Sequence, residues 1–521
     1  MARRAIWLLS MPMLGMVLIG CAAGAGERLE GADSVDAETA APGGESQAPQ
    51  GEVEAEGPAA PAATFAPATE ADCTHFVAPE GNDEALGTLD EPWATLQHAS
   101  EAAGPGDTVC FRGGDYVTEE VHLTLSGDPD APITFTAYPG ETPVLDGDGT
   151  QGSIITFPEG ASCLHVSGFT LTGFNIWGMS LEGSNTTIQL DHLDIGGGEA
   201  GIHFTDGVSG EDPSYGPVEN ITLEDSFIHD PAYTAVDCTP GPCNHMIFRR
   251  LEVSGAGLAG EASFGADGLG IERGQDILVE QCVVHDNGGD GIDLNSRDRD
   301  GYVSGIVVRN NQVYRNRLQG IKLWAGGTMV NNVVWGQGIN PVMIGVFPGD
   351  YVVVNNTIAY NMWDPTYSGR DYAFVAAYPE TGESAAITLV LANNIFAYNT
   401  GPEVGDPTGI YLGAGVTLVE SGGNLFYSRP DGEIQVDSAT GDGLWFTQAD
   451  VADGAWASAL GSVGDTAAEP MFISGWPDVD LRLADASPAI NAGLAPHAPL
   501  DDINGLERDG SPDIGAYEYS P

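Results

Sequence analysis

A short motif recurs through the middle of this 521-residue chain: a turn residue followed by alternating apolar positions. It appears as Gly178-Met179-Ser180-Leu181, Gly201-Ile202-His203-Phe204, Ala235-Val236-Asp237-Cys238, Gly268-Leu269-Gly270-Ile271, Gly291-Ile292-Asp293-Leu294 and Gly320-Ile321-Lys322-Leu323, at spacings of 23, 34, 33, 23 and 29 residues. A second series carries paired asparagines before strand-like runs, Asn310-Asn311, Asn331-Asn332, Asn355-Asn356 and Asn393-Asn394, spaced by 21, 24 and 38. Repeats of this length, with short strands and no intervening helical pattern, predict a solenoid in which each repeat buries its apolar face only against its neighbours. The shorter spacings give the basic coil and the longer ones inserted loops. A leucine-rich repeat does not fit, because leucine is not periodic and helical segments are missing. With 72 glycines, the composition agrees with a turn-rich all-β protein.

The pattern resembles the right-handed parallel β-helix, in which each turn adds strands to stacked parallel sheets, apolar side chains point inward and asparagines stack at the bends. Alternation then has a spatial consequence. If Ile292 and Leu294 point inward, Asp293 points outward, and the same parity lines up Ser180, His203, Asp237, Gly270, Asp293 and Lys322. Glu272, Asn295 and Trp324 form the next column, Gly270 leaves a gap, and His203 is read as structural, without an evident partner.

Lys322 is the only lysine; the other sixteen basic residues are arginine. Arginine serves wherever a fixed positive charge is enough, whereas a lysine can be tuned to give up its proton and act as a base. Lys322 falls one repeat after Asp290-Gly291-Ile292-Asp293-Leu294. A base beside clustered carboxylates suggests metal-assisted proton abstraction; the plainer reading is a surface lysine paired with Asp293.

Ala266-Asp267-Gly268, Gly289-Asp290-Gly291-Ile292-Asp293-Leu294 and Gly320-Ile321-Lys322-Leu323, in that order on such a fold, resemble polysaccharide lyase family 9, which includes pectate lyases. The resemblance implies Asp267, Asp290 and Asp293 as Ca²⁺ ligands, Lys322 as the catalytic base, and β-elimination at a uronate, an acidic polysaccharide being the partner. The chain departs from the family pattern at Gly289, where two adjacent aspartates are usual, so Asp237, Glu272 or waters would complete the coordination. Arg297, Arg299, Arg315 and Arg317 flank these coils and are candidates to pair with uronate carboxylates, and Trp324 is a candidate to stack on a sugar. The residue sets of two other β-helix enzyme types are absent: an Asn-x-Asp, Asp-Asp and Gly-His-Gly set is not found, and Met343 stands where chondroitinase-type lyases carry an arginine. The competing reading is a non-catalytic cell-surface β-helix, a glycan-binding scaffold or adhesin.

A formal net charge of −58 excludes a nucleic-acid binder, since no basic stripe is present to meet phosphates. It favours cation binding and is awkward for a polyanion unless arginines or cations reverse the local field. Residues 1–21 read as a signal peptide, and Leu18-Ile19-Gly20-Cys21 resembles a bacterial lipobox with Cys21 as the lipidated residue. The expected address is the outer membrane or surface of a Gram-negative cell, held to the bilayer by a lipid. Residues 22–72 carry eleven acidic residues, one arginine and a single aromatic, Phe65, and read as a disordered tether. Residues 73–430 are expected to form the β-helix with its N-terminal cap, around Glu91–Gln97, and residues 431–521 the last coils and the closing segment that covers the end, giving a monomer. Cys238 with Cys243, and less strongly Cys73 with Cys110, are candidate disulfides in an oxidising compartment. Cys163 and Cys282 are expected to be buried thiols.

Overall fold

The computed structural model describes residues 69–204, 216–239, 241–258, 265–294, 304–361, 372–376, 386–399, 408–413, 415–427, 433–436 and 444–521. The leader, residues 22–68 of the tether, Cys21, Asn295, Arg297 and Arg299 lie outside the described residues.

Each coil contributes up to three short strands, and the strands stack in parallel into three faces of a right-handed β-helix. Face 1 is a 13-stranded parallel sheet that runs from His75–Val77 to Val416–Gly422. Face 2 consists mostly of three-residue strands such as Val283–His285, Gln312–Tyr314 and Val333–Trp335. Face 3 holds Ala200–Phe204, Val236–Cys238, Leu269–Ile271, Ile292–Leu294, Ile321–Leu323 and Val342–Ile344. Near the N-terminal end, the long strands Pro143–Phe157 and Thr170–Leu181 serve faces 2 and 3 together. Inward residues of all three faces meet in one continuous apolar core that includes Ile277, Val284, Ile292, Ile306, Val313 and Ile321.

The asparagine pairs divide their work. The first member, Asn310, Asn331, Asn355 or Asn393, takes φ of 53–57°, the left-handed conformation that asparagine tolerates and that turns the chain from face 1 to face 2. The second member is buried and hydrogen-bonds the next coil. Asn311, Asn332, Asn356 and Asn394 form a ladder in which the Oδ1 of each of the last three accepts the backbone N–H and side-chain amide of the asparagine one coil earlier. Asn424 extends it, and Asp465 ends it by accepting both donors of Asn424. A parallel ladder runs through Asn287, Asn316, Gln337, Asn361 and Asn399 at the corner before face 3. An unpaired buried amide partner costs about 1–3 kcal/mol. Asn356→Ala strands groups on two neighbouring coils at once, so it should lower unfolding stability by roughly 3 kcal/mol, read by chemical denaturation, while an exposed substitution such as Gln312→Ala changes it little.

The ends differ from the expectation. The N-terminal helix spans Leu96–Ala102, starting where the expected Glu91–Gln97 segment ends, because Thr95 caps it through His98 N and Trp93 bridges to Val77 in the preceding turn. At the C-terminal end the core is stopped by helices Gln448–Ala452 and Ala455–Leu460, whose Trp456 is fully buried against Phe426 and Phe446. The later part of the expected closing segment lies along the flank. Leu481, Leu483, Ala489, Ile514 and Ala516 pack on Val333, Ala359 and Ala397 of face 2. The outward amides of Asn331, Asn355 and Asn393 donate to carbonyls of Asp501, Asp513 and Leu494. Arg508, nearly fully buried, joins the same contact through Asn331 and Glu518. Both candidate disulfides, Cys73–Cys110 and Cys238–Cys243, are formed, and Cys163 and Cys282 are buried thiols.

Candidate active site

The register of face 3 sets the outward column residue by residue. Ser180 pairs with His203, His203 with Asp237, Asp237 with Gly270, Gly270 with Asp293, and Asp293 with Lys322. Glycines just before these strands keep that register. A Cβ on Gly268, Gly291 or Gly320 would lie 2.5–2.6 Å from a methyl of Val284, Val313 or Val334 and 2.6–2.7 Å from a carbonyl oxygen of the next coil. The glycine of each Asp-Gly pair therefore answers to packing at the corner between faces 2 and 3, and leaves the aspartate before it free for another task.

Those aspartates converge. Asp267, Asp290 and Asp293 are buried, and one carboxylate oxygen from each lies within 4.8 Å of the other two. Asp267 Oδ1 accepts the Asp290 N–H at 2.6 Å, and Asp290 Oδ1 accepts the Gln319 N–H at 2.7 Å, so each carboxylate is oriented by the coil that follows. Lys322 Nζ sits 2.6 Å from Asp290 Oδ2 and 3.1 Å from Asp293 Oδ2, with its ammonium 5.4 Å from the Trp324 ring centroid. The amine thus pairs more closely with Asp290 than with Asp293, the partner that alternation alone suggested.

Gly289 has a direct role in this arrangement. A Cβ there would lie 2.3 Å from Asp267 Oδ1 and 2.8 Å from the Ala266 carbonyl carbon. The Asp267 carboxylate occupies space that any side chain at 289 would claim. The residue that departs from the family pattern is what lets Asp267 enter the cluster.

Three acids around one ammonium leave the site with an excess of buried negative charge. Burial, then repulsion from Asp290 and Asp293, pushes the Asp267 carboxyl well above the usual carboxylate range. Burial pushes Asp290 up to about 6, with Asp293 adding to the shift and Lys322 opposing it. For Lys322, burial alone would favour the neutral amine, but the attraction of Asp293 and Asp290 outweighs it and holds the group above the ordinary lysine value. As for a metal, the donor set is made of hard oxygens, and the ammonium on Asp290 and Asp293 stands where a cation is electrostatically wanted. Both features fit an oxygen-seeking divalent ion such as Ca²⁺.

Of the four flanking arginines, Arg315 stands apart from this cluster. Arg315 follows face 2, where its guanidinium binds the Asp286 carboxylate and lies over the rings of Tyr314 and Trp335. Burial of Asp286 is overcome by its bonds to His285 and Arg315, and its carboxyl is lowered to about 2. Arg315 is therefore committed to a different face from Lys322. Arg317 sits in the corner before face 3, its N–H donating to Asn287 O. Trp324 is the candidate sugar contact that the structure does bring beside Lys322.

His203, read from sequence as lacking a partner, has two. Its Nδ1 donates to Asp237 Oδ2 at 2.8 Å, and its ring stacks on Trp177 with centroids 4.6 Å apart and planes 10° from parallel. Asp237 is thereby engaged away from the acid cluster. The signal was present in the outward column, which sets His203 beside Asp237.

The three parallel faces and the acid–lysine cluster define a β-helix with a polar constellation on one outer face. The chain belongs to the right-handed β-helix family: the model for the right handed beta helix region matches residues 159–358 and 263–445. A second model, for the Pel9A-like right handed beta helix region, matches residues 75–237. Among curated relatives, the uncharacterized protein YwoF of Bacillus subtilis is 24% identical over 346 residues, covering 55% of this chain and 74% of that protein. Pectate lyase PEL9 of Emericella nidulans is 39% identical over 79 residues, 15% of this chain and 19% of that protein. Among solved structures, pectate lyase Pel9A aligns over 86% of this chain and 96% of its own at 17% identity with a TM-score of 0.49. A rhamnogalacturonan lyase aligns over 61% and 87% at 16% identity with a TM-score of 0.40.

Proposed function

We propose that this protein is a polysaccharide lyase that cleaves a uronate-containing polymer by β-elimination, with Lys322 as the base and Asp267, Asp290 and Asp293 as the cation site. The observation that carries this reading is the lone lysine amine set within 2.6 and 3.1 Å of two of three buried, converging carboxylates on an outward face. The PEL9 similarity, though confined to 79 residues, agrees with it.

The C5 proton of a uronate is weakly acidic because the adjacent carboxylate can take up the carbanion charge. A Ca²⁺ ion at the three aspartates would supply Lewis-acid stabilisation of that charge. The chain's own residues do the rest. Asp267 and Asp290 keep their carboxylates in place through the backbone N–H groups of the next coil. Lys322 holds its Nζ at the same carboxylates, next to where a bound uronate carboxylate would be drawn. Once the aspartate charge is engaged elsewhere, the attraction that keeps the amine protonated is removed while its burial remains, and burial favours the neutral form. The neutral Nζ then accepts the C5 proton, the C4–O bond breaks, and the leaving oxygen departs with a proton from solvent, leaving a C4–C5 double bond. Trp324 flanks the amine and offers a ring to the sugar.

Calorimetric titration with Ca²⁺ tests the cation site. Wild type should bind one ion, and Asp293→Ala should lose that binding by at least about tenfold, a difference of roughly 1.4 kcal/mol. No heat at millimolar Ca²⁺ would sink the cation-assisted mechanism. A second reading is favoured by one observation, the tight ion pairing of Lys322: the cluster could be a structural link between coils on a surface protein that binds glycans without cleaving them. The two readings part at Lys322→Arg, discussed below. We further propose that Cys21 carries a lipid anchor, in keeping with the lipobox-like sequence. Cys21→Ser should move the protein from the membrane to the soluble fraction, and unchanged fractionation would remove the anchor without touching the site.

A further inference from the structure

The outward column of face 3 continues past the acid cluster in two directions, and the two differ in chemistry. Toward the C-terminus it becomes apolar and closed: Met343 and Val375 are buried and pack with Tyr411. Toward the N-terminus it stays polar. The next position is Gly270, which bears no side chain and is floored by Thr234. Beyond it stand Asp237 and His203, with the Trp177 ring against the imidazole.

We propose that Trp177, His203 and Asp237 form a second saccharide-binding subsite, several sugars away from Lys322 on the N-terminal side. Three features carry this. First, the hydrogen bond between His203 Nδ1 and Asp237 Oδ2 fixes the imidazole and sets the direction of Nε2, its second polar atom. Among the described residues nothing hydrogen-bonds Nε2, which leaves an oriented polar atom to pair with a sugar hydroxyl. Second, Trp177, half-buried, supplies the flat apolar surface that saccharide rings use beside such a polar atom. Residue 200, which pairs with Trp177 in the register, is alanine, and Trp177 reaches past it to His203. Third, the Cys238–Cys243 disulfide ties down the strand that carries Asp237, so the carboxylate is held by a covalently braced coil. From His203 to Lys322 is four strand steps, roughly 19 Å at about 4.8 Å per step, a distance that only a chain of several sugars covers. Between the two ends the column holds Gly270, which adds no side chain of its own.

This inference rests on the proposal that the protein engages a uronate polymer, and its test separates the two. The probes are polygalacturonate and trigalacturonate, with Trp177→Ala and His203→Ala compared with wild type. Trp177→Tyr serves as the conservative variant, and melting curves confirm that each variant is folded. The kcat/KM preference for polymer over trisaccharide should fall about tenfold in both alanine variants through KM, and recover in Trp177→Tyr. In the Lys322→Arg background, retardation in a polygalacturonate gel should weaken in parallel. Folded alanine variants with an unchanged polymer preference overturn the subsite and leave the lyase reading standing. If wild type is retarded by the polymer but does not cleave it, the lyase reading fails, and the subsite stands only if the alanine variants lose retardation. A wild type that is neither retarded nor active overturns the subsite for this polymer class.

Discussion

Replacing Lys322 with arginine should abolish nearly all turnover on a uronate polymer, by about 10²–10⁴-fold, the range that a positioned general base contributes. The substitution retains the positive charge and approximate length, so the contacts with Asp290 and Asp293 can largely re-form. What is lost is the ability to be neutral, because a guanidinium stays protonated in proteins. The change should appear in kcat, with retardation by the polymer largely kept. If Lys322 serves only to link coils, the same exchange leaves any activity and the cation affinity close to wild type. A variant retaining a tenth of wild-type activity would remove Lys322 as the base.

The second large effect is expected at Gly289, and its direction is not the one a family comparison suggests. Restoring an aspartate there looks like adding a ligand. With its Cβ 2.3 Å from Asp267 Oδ1 and 2.8 Å from the Ala266 backbone, Gly289→Asp should instead displace Asp267 from the cluster. Overpacking of this kind costs about 1–3 kcal/mol, and the added negative charge enters a site already short of cations. We expect Gly289→Asp and Gly289→Ala both to weaken Ca²⁺ binding by about tenfold or more, roughly 1.4 kcal/mol, as read by calorimetry. Binding that tightens in Gly289→Asp would mean that Asp267 can yield and that the family ligand set can be rebuilt.

The sequence carried the outward column because two local rules multiply: strand alternation decides which side a residue faces, and the corner glycines 268, 291 and 320 align successive coils. That is why the sequence sets Asp293 and Lys322 side by side, as the strand register has them. Relations that need a third coil, or a backbone approach, were not legible. The closer pairing of Lys322 with Asp290 depends on the depth of the corner, and the role of Gly289 depends on where the Asp267 carboxylate comes to rest. Closeness in sequence is not closeness in a solenoid, and Arg315 is the example. One coil spreads its residues over three faces, so Arg309 reaches Glu280 on face 1 and Arg315 reaches Asp286 beside face 2. The closing segment was recognisable as a unit, but its docking on the flank rests on hydrogen bonds spanning more than a hundred residues, such as Asn355 to Asp513.

The most direct test is the ultraviolet absorbance of the unsaturated uronate end, followed while the full-length protein is mixed with polygalacturonate, alginate or a glycosaminoglycan, in Ca²⁺ or in chelator. A steady rise is expected on at least one of these polymers, dependent on Ca²⁺ and absent in Lys322→Arg. Contradiction would be a rise that Lys322→Arg leaves intact, or no rise on any uronate polymer by a folded protein that binds Ca²⁺.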